Sequence, residues 1–237
     1  MNPAPAPFLA SLVNELERHP VNSNAFFEAF HASVLTREQL RMFVRQYHYF
    51  CKHFVKELEG LLYRTPVDQL DMRIELIKTL HSELGSGNPQ RAHIRLLNKF
   101  ATSLDLDDTG LDRTVPIPEV VSYLKLLHRL FFESDHLTAL GAELAVEVTA
   151  ASEFRYFYPG LRQYACFNED ELTFFKLHLN EEQCHSAWLI EAVQRTAHTQ
   201  DDYHRVATGA RETADGWQQF WSGLYREVFE STAVRQE

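Results

Sequence analysis

At 237 residues, 45% of them hydrophobic, the chain can build a substantial core in one large domain or two small ones. A net charge of −10 speaks against nucleic-acid backbones and anionic membrane surfaces as partners, and no apolar run approaches the length of a membrane span. Three cysteines (Cys51, Cys166, Cys184), odd in number and without Cys-x-x-Cys spacing, argue against a disulfide framework and lead us to expect a reducing, cytoplasmic setting.

The opening Met1–Pro7 lacks the basic and apolar regions of a signal peptide and reads as a frayed lead-in. Phe8 to Arg18 is amphipathic and stops at His19-Pro20, and Asn24 to His31 forms a second short helix. Thr36 with Gln39 resembles a capping box, opening a long helix to about Arg64 that Pro66 ends. The next helix runs from about Asp68 to Leu84, with Leu70, Ile74, Ile77 and Leu80 as its apolar positions, and terminates at Gly85-Ser86-Gly87. Asn88-Pro89 supplies an N-cap and a first-turn proline for a helix through His93 and Phe100.

The acidic, turn-like stretch from Leu104 to Pro118 reads as a surface connection. Glu119 to about Phe154 is expected as one long helical run, closing near Tyr158-Pro159-Gly160. A helix capped by Asn168 then runs to about His198, and a last one covers about Asp202 to Glu230. No period-2 strand pattern or repeat is visible, so the expected fold is all-α: one bundle of seven to nine helices over residues 1–237, with 1–6 and 231–237 as flexible ends.

Chemistry concentrates on the Asn168–His198 segment. Phe175, His178, Glu182, His185 and Leu189 follow at steps of three or four and share one face. Phe175 and Leu189 aim that face at a core, where two imidazoles and a carboxylate need something to neutralise and pair them. A divalent metal does so with ordinary ligand atoms; a solvated helix face is the plainer alternative. Glu143 and Glu147 stand four apart among small apolar residues, with Glu147 in the context where helices approach closely and a surface Glu pair as the alternative. Glu83 ends one helix and His93 lies just past the glycine turn, so a helix–turn–helix corner can direct both to one interior point; His81 competes for that role. Such a mixed nitrogen and oxygen set suits iron or manganese better than a thiolate-rich zinc site.

Glu83-Leu84-Gly85 followed by His93, then Leu144-Ala145-Val146-Glu147, then His178-x3-Glu182-x2-His185 resemble the haem-oxygenase-like di-iron oxidases and oxygenases, which share a fold with TenA-type thiaminases and the PQQ-biosynthesis oxidase. The resemblance covers about Pro20 to Glu230. It implies that fold and six metal ligands, Glu83, His93, Glu147, His178, Glu182 and His185. It also implies two non-haem irons (manganese being possible), and an O2-dependent reaction on a small molecule such as an amino acid or fatty acid. The three carboxylates carry the chemistry in this reading, Tyr47, His48 and Phe50 are candidate pocket walls, and a homodimer is possible. Many members carry Asp where Glu182 stands. One branch, related to the chlamydial death-domain-associating protein, makes p-aminobenzoate from its own tyrosine; there a tyrosine precedes the second glutamate and a lysine follows. Here Val146 precedes Glu147 and no lysine occurs between Glu147 and Lys176. The remaining alternative is a metal-free, TenA-like or PQQ-type enzyme, for which neither Cys51 nor Cys184 is a well-placed nucleophile.

Overall fold

The structure is a computed structural model that describes residues 5–231, with the side chains of residues 5–6 and 180–185 left out of the description. Ten α-helices and no strand occur among the described residues, against the seven to nine helices expected. They are α1 (Pro5–Glu17), α2 (Ala25–Ala32), α3 (Arg37–Arg64), α4 (Leu70–Glu83), α5 (His93–Ser103), α6 (Asp108–Asp112), α7 (Pro118–His128), α8 (His136–Leu161), α9 (Thr173–Thr196) and α10 (Gln200–Tyr225). No helix among the described residues is long and apolar enough to cross a membrane.

Local sequence explains most of these boundaries. Thr36 and Gln39 form the expected reciprocal capping box at the start of α3, and Thr199 with Asp202 forms another at α10. Four expectations need correction. The Glu119–Phe154 run is two helices, because the chain loosens into a π turn at Arg129–Glu133 and Asp135 then caps α8, accepting from the Leu137 and Thr138 amides. Helix α8 continues past Phe154 and through Pro159 to Leu161, the proline forfeiting the one bond its missing N–H would have made. Asn168 caps a tight turn, its side chain accepting from the Asp170 and Glu171 amides, and α9 starts only at Thr173. Asn88-Pro89 opens a 3-10 turn, Pro89–Arg91, so that α5 begins at His93. Helix α1 begins at Pro5 and Ser231 is helical, while the rest of the two ends expected to be flexible, 1–4 and 232–237, lies outside the described residues.

The fold is organised around α8, whose buried residues occur on every side, from Leu137 and Leu140 to Phe154 and Phe157. Its two main neighbours are α10 and α9. The first approach is very close: a Cβ on Gly141 would meet the Val206 carbonyl, and one on Gly209 the Thr138 carbonyl. An aromatic cluster (Phe26, Phe30, Phe43, Phe157, Trp221) ties α2, α3, α8 and α10 together through tilted and edge-on rings. Helix α4 packs on α9 with Met72, Leu76 and Leu80. Its expected apolar positions Leu70, Ile74 and Ile77 instead face solvent, at 64%, 49% and 49% exposure. The packed face is the one that carries Glu75 and Thr79 inward, a register that a count of apolar side chains misses.

Candidate metal centre

A turn of unusual backbone brings the first two site residues together. Helix α4 ends in a Schellman arrangement: the Ser86 amide donates to the His81 carbonyl and the Gly85 amide to that of Ser82, both at 2.8 Å. Gly85, Ser86 and Gly87 all have positive φ (89°, 53° and 82°). The chain doubles back so tightly that a Cβ on Gly85 would strike the Asn88 carbonyl and the Ala92 amide. The last residue of α4 and the first of α5 thus become neighbours, with His93 Nδ1 3.0 Å from Glu83 Oε1.

Helix α9 supplies the third. His178 is buried, its ring stacked on Phe154 and close to Phe174, with the His93 ring edge-on at 4.5 Å. Its Nδ1 lies 2.7 Å from the Phe174 carbonyl, one turn back, so the ring donates there and leaves Nε2 to accept or ligate. One donor atom each from Glu83, His93 and His178 falls within 4.8 Å of the others, which is coordination distance for a shared cation. Helix α8 brings Glu147 to the same cavity, 3% exposed. Glu143, one turn earlier, is fully buried behind it with no backbone or hydroxyl donor on either oxygen. Loss of solvent, and then the neighbouring Glu147 carboxylate, push the Glu143 pKa well up.

Four of the six expected ligands, Glu83, His93, Glu147 and His178, therefore face one space. Glu182 and His185 belong to α9, but their side chains lie outside the described residues. The donor set fits iron: buried carboxylates and imidazoles of this kind are unfavourable together unless a cation joins them. His81 is exposed on the outer side of α4 and takes no part.

The space is a cavity walled by α3, α4, α5, α8, α9 and α10. Tyr47 and Phe50 line it as expected from α3, joined by Cys51 and Phe54. His48 does not: one residue round the helix from Tyr47, it turns to Asn98 Oδ1 at 2.7 Å, where burial lowers its pKa. Sequence reasoning missed Glu153, a further cavity carboxylate on α8, 2% exposed. Tyr47 donates to its Oε1 at 2.5 Å. Burial raises its pKa to about 8, against the opposing pull of the Tyr47 hydroxyl and the Trp217 indole. Cys51 also reaches the cavity, but burial, followed by the Glu153 and Glu83 charges, pushes its thiol well up and keeps it a poor nucleophile.

Residues 41–218 match a family described as iron-containing redox enzymes. The 4-aminobenzoate synthase of Nitrosomonas europaea is 24% identical over 218 residues, which cover 89% of this chain and 85% of that protein. Among solved structures, a CADD-like protein of unknown function from Nostoc punctiforme aligns with a TM-score of 0.77 at 21% identity, over 93% of this chain and 98% of its own. A TenA homologue from Pseudomonas syringae gives 0.77 at 14% identity, over 95% and 94% of the two chains. A domain with a haem-oxygenase-like fold from Shewanella denitrificans gives 0.70 at 13%, over 97% and 92%. At these identities the structural likeness is one of fold, and that fold is the haem-oxygenase-like one expected.

Proposed function

We infer, since this chain belongs to the family of iron-containing redox enzymes, that it is a non-haem di-iron oxidase or oxygenase acting with O2 on a small molecule. The observation that carries the reading is the convergence of Glu83, His93 and His178 donor atoms within 4.8 Å at the edge of a largely apolar cavity. Glu147 adds a carboxylate on the same space, and Glu182 and His185 would complete a set of three carboxylates and three imidazoles. When bound, the irons supply the electrons that make O2 reactive toward the substrate.

The chain's own residues have definable tasks. The Phe174 carbonyl fixes the His178 ring so that Nε2 can face a metal. The Schellman turn holds Glu83 beside His93 before any ion arrives. Phe50, Phe54, Phe154 and Phe174 give the cavity dry walls, which exclude bulk water and strengthen electrostatic contacts inside. A metal-free, thiol-dependent reading is disfavoured by the raised thiol of Cys51.

The test is anaerobic loading with ferrous ion followed by metal analysis and exposure to O2. Wild-type protein is expected to retain between one and two irons per chain and to consume O2. His178→Ala and Glu147→Ala should keep the helical circular dichroism and lose at least half of the iron. Unchanged iron in both variants would end the proposal. A second reading, self-sacrificing 4-aminobenzoate formation, gains some support from the Nitrosomonas relative and from Tyr47 on the cavity wall. Intact-mass analysis after O2 exposure separates the two: the substrate-oxidising enzyme keeps Tyr47 whole.

A further inference from the structure

Of the carboxylates that line the cavity, the candidate ligand set leaves Glu153 over. This carboxylate is 2% exposed, lines the cavity, and lies six residues beyond Glu147 on α8, about 9 Å along the helix axis at the usual rise. Tyr47 donates to Oε1; Oε2 makes no hydrogen bond of good geometry, although the Trp217 indole pulls on the carboxyl. A buried acceptor left without a well-placed donor costs free energy that a bound molecule carrying N–H groups would recover.

The rest of the cavity says which molecule. Its carboxyl residues are Glu83, Glu147 and Glu153 beside the imidazoles of His93 and His178, and among the described residues no lysine or arginine lines it. The undescribed side chains of α9, Asn180 to His185, include neither residue type. A substrate carboxylate extending away from the metal ligands would find no cation there and would meet Glu153. Phe50, Phe154 and Trp217 line the same cavity, and aromatic ring faces attract a positive charge and reject a negative one. The raised pKa of Glu153 is compatible with this: an amine entering as the free base takes the carboxyl proton, and the ammonium so formed stays paired with the carboxylate.

We propose that Glu153, held by Tyr47, receives the protonated amino group of the substrate, so that the molecule brought to the Glu83–His93–His178 corner is an amine with an apolar body. This rests on the oxidase reading for the word substrate, while the amine site itself needs no iron. The length from Glu147 to Glu153 sets the reach between the anchored nitrogen and the reacting end.

Isothermal titration of the full chain, metal-free and anaerobically loaded with ferrous ion, tests it with matched probes: 2-phenylethylamine against 2-phenylethanol, and hexylamine against 1-hexanol and hexanoate. Each amine should bind wild type at least tenfold more tightly than its alcohol, with hexanoate weakest. Glu153→Gln should erase the preference while alcohol affinity stays within threefold and iron content is unchanged. Tyr47→Phe, which leaves the carboxylate, should keep a preference for the amine. The proposal is overturned if neither amine outbinds its alcohol in wild type, or if the preference survives in Glu153→Gln. Should Glu153→Gln not fold, the wild-type comparison alone decides. Iron content measured on the same samples keeps the two readings apart: amine selection without iron retention would sink the oxidase and leave this site, and the reverse would do the opposite.

Discussion

Glu153 shows what a single buried carboxyl does to the whole chain's response to pH. Its pKa is about 8 in the folded protein and near 4.5 when exposed, so between those values the folded state holds a proton that the unfolded state has released. Stability from this group is therefore fully present below about pH 4.5, is lost as pH rises, and is gone above about pH 8. Urea unfolding of the metal-free protein should show wild type losing at least about 2 kcal/mol relative to Glu153→Gln between pH 5 and pH 8, about half of what about 1.36 kcal/mol per pH unit would give over that range. A parallel fall in the two proteins would contradict the assignment. Nothing in the sequence around Ser152-Glu153-Phe154 announced this residue, because a lone Glu in an amphipathic run looks the same whether its partner is water or Tyr47. His178 was legible, since it shares a helix face with Phe175 and Leu189. His48 was misplaced for a geometric reason: the residue after a cavity-lining Tyr47 lies about 100° away round the helix and faces Asn98.

At the scale of elements, the corner between α4 and α5 decides whether two ligands meet. The positive φ of Gly85 and the backbone pressed against it leave no room for a side chain. Gly85→Ala should therefore weaken ferrous binding at least tenfold with the circular dichroism largely retained; equal iron affinity in the variant would show that the corner does not set the Glu83–His93 distance. The Gly-Ser-Gly punctuation made this turn readable, as the Thr36–Gln39 pair made the start of α3 readable, because both are local chemistry. The break before α8 was not, since Leu130, Phe131 and Phe132 continue the apolar pattern without Gly or Pro and only Asp135 marks the restart. The delayed start of α9 has a similar cause: the same Asn side chain caps a helix or a tight turn equally well.

For the whole molecule, the candidate ligands come from segments far apart in sequence, on α4, α5, α8 and α9. A metal held by all of them binds only the folded chain, so occupancy adds stability by mass action. At a free ferrous concentration 100 times the dissociation constant the gain is about 2.7 kcal/mol, or roughly 5–10 °C for a chain of this size. Anaerobic thermal melts should show that rise in wild type and not in His178→Ala; an iron-independent melting temperature in wild type would argue against a site joining these helices. The class of fold was legible from helical periodicity and the spacing of the ligands. The packing side of α4 was not, because it depends on which face of α9 the helix meets.

The contact of α8 with α10 at Gly141 and Gly209 has one more consequence. Two backbones touching without intervening side chains form a seam with no slack, and prising it open would strip contacts along its whole length. The half-buried Val55, Ile94, Val146 and Ala150 line the cavity away from that seam, and rotation of such side chains is a far smaller change than parting the two backbones.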